Sequence, residues 1–125
     1  MAPLTGRLLL LVEDDPLVCM TLVEGLVDSG FAVLEAENAE AALDMLARRP
    51  DIAAMLTDIN LPGADGFTLA QLARELRPEL PVVYASGRHR QAEPGRAVPD
   101  ARFLAKPFCL SRAAAIIASA MAART

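Results

Sequence analysis

The chain has 125 residues, 54% of them hydrophobic, with 12 basic against 16 acidic residues and a formal net charge of −4. This is the size of one ordinary domain, and the acidic balance, with no Lys/Arg cluster in a groove-like pattern, gives no electrostatic case for binding nucleic acid. No uncharged apolar run approaches the ~20 residues of a membrane span, and Met1 to Gly6 lacks the basic-then-apolar layout of a signal peptide. The expectation is one soluble cytoplasmic domain over residues 1–125, with a core from about 7 to 123 and no membrane contact. Cys19 and Cys109 lie in apolar surroundings that suit buried thiols acting as small hydrophobes better than a disulfide or a metal site.

Apolar runs of strand length alternate with amphipathic stretches of helix length, the βα rhythm of a parallel sheet. Leu8 to Val12 is continuously apolar, as a strand buried on both faces should be, and Pro16 to Asp28 carries Val18, Leu22, Val23, Leu26 and Val27 at helical spacing. Ala32 to Ala36 reads as a second strand. Asn38 can cap a helix from Ala39 to Arg48, which Pro50 ends, and Ala53 to Thr57 is the third strand. Asp65 can cap a third helix with an apolar stripe of Phe67, Leu69, Leu72, Ala73 and Leu76, stopped by Pro78. The fourth strand runs from about Pro81 to Ala85. Pro94, Gly95 and Pro99 then interrupt any fourth helix, which is expected to be short, bent or absent. Arg102 to Ala105 makes the last strand and Leu110 to Ala123 a closing helix.

The strand ends carry the chemistry. Glu13, Asp14 and Asp15 follow the first strand, and Asp15 before Pro16 is explained as a helix cap with proline at the first helical position. Asp58 closes the third strand before the turn signals Pro62, Gly63 and Gly66, on the rim where open α/β sheets bind ligands. Three acids in a partly desolvated cleft repel unless a cation sits among them, and oxygen-only ligands favour Mg2+ or Mn2+. Ser86 at the fourth strand end offers a hydroxyl and Lys106 at the fifth an ammonium. With a divalent cation the charges of Glu13, Asp14, Asp58 and Lys106 sum to zero, so the site can accept a phosphoryl group whose oxygens metal and lysine neutralise.

Together, Val12-Glu13-Asp14-Asp15, Asp58 with Leu61-Pro62 and Gly66, Ser86, and Lys106-Pro107-Phe108 resemble the receiver domain of two-component response regulators, CheY-like and most similar to a single-domain form, from about Arg7 to Ala123. The resemblance implies an α/β, flavodoxin-like, doubly wound five-stranded parallel sheet of order 2-1-3-4-5. It implies a phosphoryl group accepted on Asp58 from a histidine kinase or phosphotransfer protein. Asp14 and Asp58 would bind Mg2+ directly, Glu13 through water, and Asn60 by its backbone carbonyl. Ser86 and Lys106 would bond the phosphoryl oxygens, and Phe103 matches an aromatic whose rotamer couples to that move, unless it is an ordinary packed ring. Gly87 and Arg88 would border the phosphate, Arg88 equally reading as a solvated loop residue. The Lys106-Pro107 bond would be cis.

Such a chain catalyses only its own phosphorylation and dephosphorylation and signals through a downstream protein, by way of the surface of the fourth helix, fifth strand and closing helix. The closing helix is uncharged between Arg112 and Arg124, which suits either a partner or homodimer contact or simply alanine as a helix former. Two rivals stand beside this reading. An aspartate-nucleophile phosphatase would need a second acid two residues on, where Asn60 stands; a phosphate-independent interaction module would leave the filled acceptor roles unused.

Overall fold

The computed structural model describes residues 7–87, 96–106 and 109–122. β1 (Leu8–Val12), α1 (Pro16–Asp28), β2 (Ala32–Ala36), α2 (Ala39–Arg48), β3 (Ile52–Asp58), α3 (Gly66–Leu76), β4 (Val82–Ser86), β5 (Arg102–Ala105) and α4 (Leu110–Ala122) follow in that order. The strands form one parallel sheet, β2-β1-β3-β4-β5. This is the flavodoxin-like order. Among the described residues no helix lies between β4 and β5, and residues 96–101 are turn and irregular chain; residues 88–95, where a short fourth helix was expected to begin, lie outside the described residues.

Period-two alternation in β1 builds both cores. Leu8, Leu10 and Val12 pack with Ala42 and Leu46 of α2 and with Phe67 and Ala70 of α3. Leu9 and Leu11 face the opposite layer, with Cys19, Leu22 and Leu26 of α1 and with Ile117 and Met121 of α4. Each buried leucine side chain contributes about 1.5–3 kcal/mol by leaving water, and β1 is buried along its whole length. Gly25 of α1 lies under Leu110 so closely that a β-carbon there would run into the leucine side chain, so the glycine sets how near α4 approaches α1.

The helix starts are fixed by side chains. Asp15 accepts the N–H of Leu17 at 2.9 Å and of Val18 at 3.4 Å, with Pro16 opening α1. Asn38 accepts the N–H of Ala41 at 2.8 Å, and Asp65 that of Thr68 at 2.9 Å. Each cap supplies an oxygen to an otherwise orphaned donor.

Three expectations need correction. The buried stripe of α3 is Gly66, Phe67, Leu69, Ala70 and Ala73, whereas Leu72 and Leu76 are 38% and 50% exposed. At roughly 100° per residue Leu72 falls away from that face. Val27 of α1 is likewise exposed. Cys109 is not a buried thiol: it is exposed just before α4, its sulfur 3.4 Å from Ser111 Oγ, while Cys19 is buried.

Candidate phosphoacceptor site

β3 and β4 each run one residue further than the apolar pattern suggests, so Asp58 and Ser86 are the last residues of their strands. Asp58 pairs with Ala85 across the sheet, and Val12, the end of β1, pairs with Thr57. Glu13, Asp58 and Lys106 therefore emerge side by side at the carboxyl edge, where strand order reverses about β1 and β3.

Glu13, Asp14 and Asp58 each offer an oxygen, and these lie within 4.8 Å of one another. Lys106 Nζ stands 3.0 Å from Glu13 Oε1 and 3.2 Å from Asp58 Oδ2. Glu13 is 5% exposed, Asp58 9%, and Asp14 is exposed. Burial of Glu13 pushes its carboxyl above its ordinary pKa, and Lys106 offsets only part of this. At Lys106 burial works to lower the pKa, but Glu13 and Asp58 outweigh it and hold the ammonium above its ordinary value. One buried carboxylate too many for one lysine, with oxygen as the only donor type, is the arrangement that takes a hard divalent cation.

Asp58 is held from several sides. Asn60 donates its N–H to Asp58 Oδ1 at 3.1 Å, and the buried Thr57 hydroxyl donates to the Asp58 carbonyl at 2.9 Å. Gly66 N–H donates to Ile59 O at 2.8 Å, and a β-carbon on Gly66 would meet the Asp58 carbonyl and come 2.8 Å from Ile59 Cα. The absent side chain lets α3 start directly against the backbone of Asp58. Lys106 N–H donates to Ser86 O at 3.1 Å, which ties the last residue of β4 to the lysine. Ser86 is 3% exposed, Gly87 exposed, and Phe103 half-buried beside Tyr84 with ring centroids 5.1 Å apart. Arg88, Pro107 and Phe108 lie outside the described residues.

Residues 9–118 match the family described as the response regulator receiver domain. This chain belongs to the response regulator receiver family. A receiver of Brucella abortus, the response regulator receiver protein CpdR, is 36% identical over 104 residues that cover 82% of this chain and 86% of that protein. The response regulator protein FleR of Pseudomonas aeruginosa is 38% identical over 101 residues, 79% of this chain but 21% of that protein. Among solved structures, a response regulator receiver protein from Sinorhizobium medicae superposes with a TM-score of 0.89 at 30% identity, covering 98% of this chain and 99% of that one. Membership supports a phosphoacceptor switch of two-component signalling, and the acidic cluster of this receiver is one that can bind a metal. No helix among the described residues is long and apolar enough to cross a membrane.

Sequence reasoning gave no role to the hydroxyls of Thr57 and Tyr84, nor to the pair Asp65–Arg96, whose side chains meet at 3.0 Å. Thr57 and Tyr84 were visible as hydroxyls inside apolar strands, which demand a hydrogen-bond partner. The Arg96 contact spans 31 positions and left no local signal.

Proposed function

We propose that this receiver takes a phosphoryl group on Asp58 from a phosphohistidine of a histidine kinase or phosphotransfer protein, and that the modified carboxylate changes the affinity for a downstream protein. The observation that carries the proposal is Lys106 Nζ held between Glu13 and Asp58, with Asp14 completing a three-carboxylate cluster. A carboxylate oxygen of Asp58 attacks phosphorus, the P–N bond breaks, and its electron pair returns to the donor imidazole. Lys106 is already in place to pair with the oxygens that gain charge, and the Asn60 N–H fixes the orientation of the carboxylate. Asp14 and Asp58, with the Asn60 carbonyl and Glu13 through water, would hold Mg2+ or Mn2+, which neutralises the phosphoryl oxygens when bound. In this reading Ser86 supplies a hydroxyl to the product, Phe103 follows it, Gly87 leaves space beside Lys106, and Arg88 borders the phosphate. The chain is a single receiver unit that turns over no external substrate.

The donor has to bring its histidine to the rim at Asp58. Beside that rim a groove of about 640 Å3 between α1 and α4 is lined by Leu17, Val18, Thr21, Leu22 and Leu110, and reaches Lys106. Leu17, in the wall of this groove, is 74% exposed. An apolar surface of this kind beside a reactive carboxylate suits the helix of a phosphodonor protein. Incubation with a panel of purified, autophosphorylated histidine kinases tests the proposal. We expect rapid Mg2+-dependent transfer from a cognate kinase to the wild type and none to Asp58→Asn; label that persists on the Asn variant would reject the assigned acceptor.

A further inference from the structure

The segment that follows the undescribed part of the β4–β5 connection is bound to the body of the domain by side chains that the acceptor chemistry leaves unused. Tyr84 is fully buried in β4, with its ring between Phe67 of α3 and Phe103 of β5, centroids 5.1 Å away in each direction. Its hydroxyl oxygen accepts the N–H of Val98 at 3.2 Å, in a buried position. Around this bond, Arg96 pairs with Asp65 at 3.0 Å and lies over the Phe67 ring at 4.9 Å. Gln71 donates to Arg96 O at 2.8 Å, and Arg74 donates to Pro99 O at 3.0 Å. Residues 96–99 are thus laid along α3, and their one tie to the sheet's interior among these bonds is the Tyr84 hydroxyl.

Tyr84 also adjoins the two residues, Ser86 and Phe103, that the proposed function gives a part in the response to phosphorylation. Alternation along β4 puts Tyr84 and Ser86 on the same face, two residues apart, and Tyr84 is the register partner of Phe103. Phe103 carries no hydroxyl, so the polar contact that an aromatic on β5 would offer is absent from that strand. The phenol on β4 supplies one instead. The Tyr84 ring packs against Phe67 on one side and Phe103 on the other, so a rotation of Phe103 removes or changes one of the two contacts that hold the ring and its hydroxyl in place. A buried backbone N–H left without an acceptor is costly, so Val98 must follow the hydroxyl or find another partner.

We propose that Tyr84 carries the phosphorylation state of Asp58 to residues 96–99, through its hydroxyl bond to Val98. The proposal rests on the phosphoacceptor reading, and the test separates the two. Amide hydrogen exchange is followed on the full chain with Mg2+ alone and with Mg2+ plus beryllofluoride, while binding of beryllofluoride is measured independently by fluorine NMR. In the wild type we expect exchange at Val98 to change by about tenfold on binding. In Tyr84→Phe, which keeps the ring, we expect beryllofluoride to bind within about threefold of wild type while exchange at Val98 is faster and no longer responds. Arg96→Gln, which leaves the Tyr84–Val98 bond in place, should retain the response. Binding to the wild type without a change at Val98, or an undiminished response in Tyr84→Phe, would overturn the coupling and leave the phosphoacceptor reading intact. No binding to the wild type would overturn both.

Discussion

Lys106 has two carboxylate partners, whereas Glu13 shares one lysine and has Asp58 as a like-charged neighbour. Removing the ammonium by Lys106→Met keeps the stem and leaves two nearly buried carboxylates facing each other. The site is on a rim and Lys106 is 26% exposed, so the expected loss is about 2 kcal/mol, below the ~3–5 of a fully enclosed pair. The sign of its pH dependence follows from Glu13. A carboxyl held above its ordinary pKa in the folded state contributes stability at low pH that is lost as pH rises through the folded value. Without Lys106 that value moves further up. Urea unfolding of the metal-free variant should therefore show a deficit at neutral pH that shrinks on acidification through the raised Glu13 pKa, because protonating Glu13 also removes one of the two charges that hold the wild-type Lys106 ammonium in place. The thiols diverge for related reasons. Burial, then the hydrogen bond to Glu35, push Cys19 up to about 11, whereas the Ser111 hydroxyl and the Arg112 N–H lower the exposed Cys109. Iodoacetamide at neutral pH is expected to modify Cys109 first, read by peptide mass spectrometry.

At the scale of elements, the junction of β3 with α3 is the most tightly built. The Gly66 N–H reaches Ile59 O, and its bare α-carbon lies against the backbone of Asp58. The obstruction to a β-carbon is main chain and cannot rotate away, so Gly66→Ala is expected to cost about 1–3 kcal/mol in chemical unfolding and to slow phosphorylation by shifting the acceptor. Element boundaries were largely legible, because leucine-rich runs, caps at Asp15, Asn38 and Asp65, and prolines are local signals. The gathering of Glu13, Asp14, Asp58 and Lys106 was legible too, since a parallel sheet delivers its strand ends to one edge. What escaped depends on contacts distant in sequence. The exposure of Leu72 depends on which flank of α3 the sheet covers, and the clamp of Arg96 on Asp65 joins two loops that no periodicity connects. Exposure of Cys109 follows from its place before α4, where the chain leaves the sheet edge.

For the whole molecule, the two packed layers and the single sheet make a stable frame whose reactive edge carries more acid than its own lysine can balance. A cation that binds only the folded chain stabilises it by mass action, by about 2.7 kcal/mol at a hundredfold excess over Kd. Mg2+ is expected to raise the Tm of the wild type in calorimetry, and Asp14→Asn, which alters an exposed ligand with little effect on packing, is expected to lose most of that increase. On the proposed function, Asp58 is the carboxylate that becomes phosphorylated. Borohydride reduction of protein treated with acetyl phosphate and Mg2+ converts an aspartyl phosphate to homoserine, which peptide mass spectrometry locates. We expect homoserine at position 58 in the wild type and none in Asp58→Asn; homoserine at another position, or phosphoryl incorporation undiminished in the Asn variant, would contradict the assignment.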